Sequence, residues 1–394
     1  MAIQRQPSQE VQEKPSILRP TDRLDVVIIG GGPAGLSAAI SLLQRSSLSI
    51  AIIDSQRLEF PRIGESLPPD TILLLRKLGV ADAFYRAGHQ TCPGYSSVWG
   101  SDDVGHNDFI VNPMGPAWCM DRMKFDAMLV EEAQRLGAQI HWETRFLSAA
   151  KSSEGYSIRL RQAETHQEST LQARFVIDAS GAKARFAHAL GIEKEIHDQL
   201  FALIRLSRLD GGKPTRRVQI EAVPQGWWYH TALPNDRVIT MFVTQREQLQ
   251  TLRADDFAEF EQRLERTSFI HPQIRTWSLS EYLIRPIYSG ILPAVEGKDW
   301  VAIGDAASSY DPVVSHGIYK GMSDGIHIAP KVIASLVGGD HSAETAYSSF
   351  VRKRYHQYLQ NRAFLYARER RFPNQPFWQN RLIGLERIAV QLGT

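Results

Sequence analysis

Cysteine is scarce: Cys92 and Cys119 are the two in a chain of 394 residues. They form neither a CxxC redox pair nor a zinc-ligand set, which excludes a disulfide scaffold and a dithiol reductase. Both read as ordinary semi-buried thiols, and no metal site is expected. Charge of one sign is also lacking. The formal net charge is +2, which gives no reason to expect nucleic acid as a partner. No stretch reaches the roughly 18 uninterrupted apolar residues of a membrane span. Residues 1–20 are polar and proline-punctuated with no apolar core, so they read as a disordered lead-in (1–23) rather than a secretory leader. A cytoplasmic location is the default expectation. Internal repeats and low-complexity tracts are missing too.

What remains is an ordinary globular composition, 43% hydrophobic and 22% charged, with length for one large domain or two connected ones. The apolar run Asp25–Ile29 leads into Gly30-Gly-Gly-Pro-Ala-Gly35 and a helix-forming stretch from Leu36 to Gln44. Pro33 suits an early helical position. A second apolar strand, Ser49–Ile53, ends at Asp54, completing a βαβ unit. Helical spacing recurs over Met123–Gly137, and short strands over 139–178 end in Ala173–Asp178. Residues from about 200 to 285 have β character, and Trp227–Leu233, a Pro-Asn-Asp turn and Arg237–Val243 predict a hairpin. Strand Trp300–Ile303 runs into Gly304-Asp305, and a helix is expected to begin near His316.

Gly30, Gly32 and Gly35 satisfy G-x-G-x-x-G, with Ala34 inside the same loop. That spacing alone is weak. Here it follows a strand, opens a helix, and is followed nineteen residues later by Asp54 at a strand end. Gly30 permits the tight turn, Gly32 lets backbone approach a pyrophosphate, Gly35 lets helix and strand pack closely, and the helix N-terminus attracts phosphate. Asp54 can accept hydrogen bonds from an adenosine ribose. NAD and FAD share this motif. The unit's place at the start of the fold, and the distant strand–Gly304–Asp305 turn, favour FAD, a long cofactor that needs a second segment for its flavin end. No second fingerprint appears, so reducing equivalents must come from transient NAD(P)H binding, a separate flavin reductase or another donor.

The expected fold class is α/β: a Rossmann-type FAD-binding domain with an inserted β-rich substrate domain and a helical C-terminal tail. The FAD-binding domain is expected to be discontinuous, over 24–85, 115–190 and 285–340. The β-rich part takes 86–114 and 191–284, and the tail 341–394.

Taken together, Gly30–Gly35, Gly64-Glu-Ser66 with Pro68-Pro69, Asp178-Ala-Ser-Gly181 with Arg185, Gly304–Pro312 and Arg370–Trp378 give the chain a resemblance to the flavin-dependent monooxygenase and tryptophan-halogenase-like superfamily. It runs from about residue 24 to 382. The resemblance implies a para-hydroxybenzoate-hydroxylase-like fold, bound FAD and oxygenation of an aromatic substrate through a flavin C4a-hydroperoxide. Carried over by position, Arg122 would contact FAD and Asp305 its ribityl or pyrophosphate region. Pro312 and Gly317 would approach the isoalloxazine ring, with the following helix N-terminus stabilising negative charge on the reduced flavin.

Halogenases of this group carry a lysine between the Gly-Glu-Ser segment and a later tryptophan, where this chain has none from Lys77 to Lys124 and the matching place falls near Thr91. They also show W-x-W-x-I-P, where this chain reads Gly226-Trp-Trp-Tyr-His-Thr-Ala-Leu-Pro234. The features look most like the flavoproteins that mature cysteine tryptophylquinone in partner proteins by oxygenating a tryptophan. Alternatives are a small-molecule aromatic hydroxylase, a halogenase, an FAD-dependent reductase and a non-catalytic FAD-fold binding protein.

Trp227, Trp228 and Tyr229 are candidate pocket walls, or a run of core aromatics. His316 is a candidate general base or substrate holder, or a helix cap. His230 has a weaker claim, because strand alternation can turn it to solvent. Glu65 reads as a pocket acid or a capping carboxylate, and Asp311 as turn chemistry. From Arg352 to Arg371, seven basic residues face one acid, Glu369. That is either a solvated helix face or a docking surface for an acidic protein.

Overall fold

A computed structural model describes residues 23–58, 63–209, 215–249, 258–273, 277–338 and 344–382. Strand Arg23–Ile29 is the centre of an eight-stranded sheet. It pairs in parallel with Ile50–Ile53 on one side and Glu168–Asp178 on the other, with Ile28 opposite Ile52 and Ile177. Trp300–Ala302 and Gln139–His141 extend the parallel array outward. Such strands are covered on both faces, which explains why Val26, Val27, Ile28, Ile52, Val176 and Ile177 are all fully buried. An antiparallel arm, Thr144–Ser152 with Gly155–Gln162, hangs from the Glu168–Asp178 strand.

The second sheet also has eight strands, running in space through 308–309, 277–291, 195–209, 237–244, 226–233, 218–223, 94–98 and 105–108. The expected hairpin is present: Gly226–Leu233 and Arg237–Thr244 pair antiparallel. Its turn is made by Asn235 and Asp236, both with positive φ, a conformation their short polar side chains tolerate. A small third sheet joins Ser66–Leu67, Ala117–Cys119 and Gln90–Cys92.

Three long helices bind the sheets into one body. Pro33–Leu43 crosses Gly317–Ile333, and Arg122–Arg135 packs beside Pro33–Leu43. Glu344–Arg368 then runs back over the second sheet. The segment after it is fastened by Gly100 N–H on Glu369 Oε2 (2.8 Å) and by Trp378 Nε1 on the Val223 carbonyl (3.0 Å). Among the described residues, no helix is long and apolar enough to cross a membrane.

Candidate functional site

The glycine turn is built for close approach. Gly30 has φ +116°, and a Cβ there would lie 2.2 Å from the Ala179 carbonyl oxygen. A Cβ on Gly35 would lie 2.0 Å from the Gly30 carbonyl oxygen. Gly32 is extended and precedes Pro33 in the first helical turn, which carries no acid and no side-chain cap, so its N–H groups remain open to an anion. Asp54 braces the turn by accepting from Gly31 N–H at 2.8 Å. Gly32 and Ala34 line a cleft of about 460 Å³, whereas Gly30, Gly35 and Asp54 are not in its lining.

The distant turn meets this one directly. Gly304 has φ +59°, and its N–H donates to Asp324 Oδ2 at 2.9 Å. Arg354 in the C-terminal helix holds Asp324 with bonds of 2.6 and 2.9 Å. A Cβ on Gly304 would stand 3.0 Å from Ala34 Cβ. One on Gly325 would stand 2.7 Å from both the Ala34 carbonyl oxygen and the Ala38 nitrogen. Gly321 and Gly325 thus let the helix Gly317–Ile333 press onto the helix that opens at Pro33. Sequence reasoning missed this pair, although the Gly321-x-x-x-Gly325 spacing was its signal.

Asp305 lines the cleft, and its Oδ1 pairs with Lys320 Nζ at 2.8 Å. Lys194 donates to the Asp305 carbonyl at 2.6 Å, and burial lowers its ammonium to about 8. Neither lysine was singled out from the sequence, since a lone lysine carries no positional signal there.

The third part is the loop before Gly317. Asp311 accepts from Val313 N–H at 3.0 Å and starts the turn Pro312–Val314. Ser315 follows in the left-handed region. His316 occupies the N-cap position, yet its side chain makes no cap: Nδ1 contacts the Val314 carbonyl and the ring is exposed. Pro312, His316 and Gly317 all line the cleft. Across it, Arg122 is clamped by Asp126 at 3.2 and 3.0 Å and bonds the Ile63 carbonyl, which fixes the Ile63–Ser66 segment. Glu65 in that segment is buried, and burial raises its carboxyl to about 7 against the opposing pull of Arg122 and Arg237.

The far wall is the second sheet, which presents Ala202, Ile204, Tyr229, Met241 and Ile287. Of the aromatic run, Tyr229 reaches the cleft and the two tryptophans do not. Trp227 lies farther along the same face, where its Nε1 donates to Tyr366 OH at 3.1 Å beneath the C-terminal segment. Trp228 points to the opposite face and stacks on Phe242 with centroids 4.7 Å apart. His230 shares that opposite face. It is buried rather than solvated, its Nδ1 lies 2.9 Å from Thr240 Oγ1, and burial pushes it down to about 4. The reason is the helix Ala258–Glu265, whose Phe260 covers a face that alternation alone assigns to water. His230 therefore stands outside the cleft.

Of the basic tail residues, Arg354, Arg362 and Arg371 are taken up by Asp324, by Asp198 and Asp311, and by Glu369 and Asp102. Arg352, Lys353, Arg368 and Arg370 are exposed.

A family model described as FAD binding domain matches residues 23–362. The putative FAD-dependent oxidoreductase LodB of Marinomonas mediterranea is 26% identical over 360 residues, covering 91% of this chain and 96% of its own. Among solved structures, the myxobacterial chondrochloren halogenase CndH superposes with a TM-score of 0.81 at 22% identity, over 94% of this chain and 90% of that one. The peptidyl tryptophan dihydroxylase QhpG, essential for tryptophylquinone cofactor biogenesis, gives 0.72 at 21% identity, over 91% and 79%. The two structures share the fold.

Proposed function

The chain belongs to the FAD binding domain family and is an FAD-dependent oxidoreductase, and from that premise we propose that it hydroxylates an aromatic substrate, with the indole of a tryptophan in a partner protein as the leading candidate. The residues fit the cofactor. The turn at Gly30–Gly35 is cleared of side chains, the helix at Pro33 offers open N–H donors, and Asp54 closes the strand beside it. When bound and reduced, FAD supplies the electrons and the oxygen activation.

The chain's own residues supply position and proton control. The N–H groups of Ala34 and Gly35 would hold the pyrophosphate, and Asp54 the ribose. The helix beginning at Gly317, also without an acid in its first turn, favours negative charge near the ring. Arg122 keeps Glu65 against the cleft. His316 is the proposed proton acceptor for the substrate, and Glu65, protonated below about pH 7, a proton donor. The apolar wall would limit water beside the substrate and so wasteful peroxide release.

The observation that carries this reading is one continuous cleft from the Gly32–Ala34 turn, past Pro312–Gly317, to an apolar wall with Tyr229. Likeness to the QhpG fold supports the tryptophan substrate. Likeness to CndH favours halogenation as a second reading. Against it, no lysine is among the described residues lining the cleft. Turnover with chemically reduced FAD, labelled dioxygen and chloride or bromide separates the two. Tryptophan, indole and tryptophan-bearing peptides serve as substrates, read by mass spectrometry. Labelled oxygen on an indole supports hydroxylation. A halogenated ring, or peroxide with no altered indole, overturns it.

A further inference from the structure

Among the described residues, every charged side chain around the cleft has a protein counter-charge except one. Arg122 is paired with Asp126, Asp305 with Lys320, and Asp311 with Arg362. Glu65 sits in the field of Arg122 and Arg237. Arg285 also lines the cleft, and among the described residues it has no carboxylate partner. Among the described residues, its hydrogen bond runs from Nη1 to the carbonyl of its own neighbour Ile284, at 3.0 Å.

The position makes that solitude informative. Arg285 lies on the long strand Trp277–Ile291, opposite Ala202. Leu283 and Ile287, two residues either side on the same face, belong to the apolar cluster with Tyr229 and Met241. A half-buried guanidinium on such a wall loses hydration without gaining a partner. Its planar fork of five donors matches a carboxylate in two parallel bonds, which an ammonium cannot do.

The geometry points to Arg285 as an anion-recognition residue that selects aromatic substrates bearing a carboxylate on the side of the ring facing the sheet. This rests on the aromatic-substrate reading above and narrows it. The carboxylate belongs either to a free aromatic acid or to an acidic residue beside a tryptophan in a polypeptide. In both cases the ring lies against the apolar wall and the acid is held by the fork.

Binding to the oxidised, FAD-loaded protein tests this without turnover, so failure of the oxygenation chemistry leaves the result legible. The readout is the flavin absorbance change on titration. The probes are indole-3-acetate and benzoate, their neutral amides, and tryptophan peptides flanked by glutamate or by glutamine. For the wild type, at least one acid should bind about tenfold or more tightly than its neutral counterpart, as expected of a charge-assisted pair. Arg285→Gln should erase that preference while leaving amide affinity unchanged, and Arg285→Lys should keep part of it. Preference among the free acids identifies a small molecule, and preference among the peptides a protein segment. Equal binding of acids and amides, no binding of any probe, or a preference that survives Arg285→Gln overturns the inference. So does loss of FAD from both variants, which would assign the guanidinium to the cofactor.

Discussion

The hydroxyl of Tyr366 donates to Asp311 Oδ2 at 2.8 Å, tying the C-terminal helix to the loop that precedes Pro312. The Tyr366 hydroxyl oxygen itself accepts from Trp227 Nε1 at 3.1 Å. Asp311 in turn accepts from Arg362 Nε at 3.2 Å, and its own N–H donates to Tyr358 OH at 2.8 Å. Two residues of one helix thus hold the carboxylate that sets the turn at the cleft, a third holds its backbone N–H, and Trp227 links Tyr366 to the second sheet.

Tyr366→Phe should therefore act on both the sheet and the loop. It removes a donor from a buried carboxylate and an acceptor from a buried indole, a loss of about 1–3 kcal/mol. Denaturant unfolding should report that loss, and FAD should dissociate faster. Unaltered unfolding and unaltered FAD release would show that the hydroxyl is dispensable.

Two glycine substitutions in the same helix should part company. Gly325→Ala places a methyl 2.7 Å from backbone atoms of Ala34 and Ala38, which cannot swing aside. It should cost about 1–3 kcal/mol and lower the flavin content of the purified protein. Gly317→Ala meets no protein atom within 4 Å and should keep the wild-type unfolding midpoint. An equal midpoint in both variants would refute the close crossing.

Glu65 gives the fold a pH dependence whose sign can be worked out. Its carboxyl is raised from 4.5 to about 7 by burial, so between those values the folded state holds a proton that the unfolded state has released. Stability from this group is full below 4.5 and is lost as pH rises through about 7. Glu65→Gln, which does not titrate, should gain on the wild type across that window in denaturation experiments. Parallel profiles for the two proteins would exclude the shift.

His316→Ala should slow the proposed oxygenation by at least about a hundredfold, the lower reach of lost proton transfer, while FAD stays bound. The ring is exposed and holds no other element in place. Product yield measured with saturating reductant decides the matter, and an unchanged yield removes His316 from the chemistry.

How much of this was legible in the sequence depends on whether the physics was local. Gly30, Gly32, Pro33 and Asp54 announce a βαβ turn because each residue's role is set within one supersecondary unit. The 227–243 hairpin is legible for the same reason, as its turn residues are its own. Trp227, Trp228 and His230 were harder. Strand alternation sorts them to two faces but does not say that Tyr366 covers one and Phe260 the other. Lys320 and Arg285 were invisible, because the acid beside one and the absence of an acid beside the other are facts about distant chain segments. The tail read as a basic surface, yet Arg354 and Arg362 spend their charge inward, on Asp324 and Asp311.

The glycine-lined crossing of the Pro33 and Gly317 helices makes the Gly30–Gly35 turn and the Pro312–Gly317 loop one closely packed block. A bulky guest must then be admitted by give on the opposite side, where strands 195–209 and 277–291 meet. Retargeting the enzyme to new compounds should begin there, at Ala202, Ile204 and Ile287, and leave the helical seam untouched.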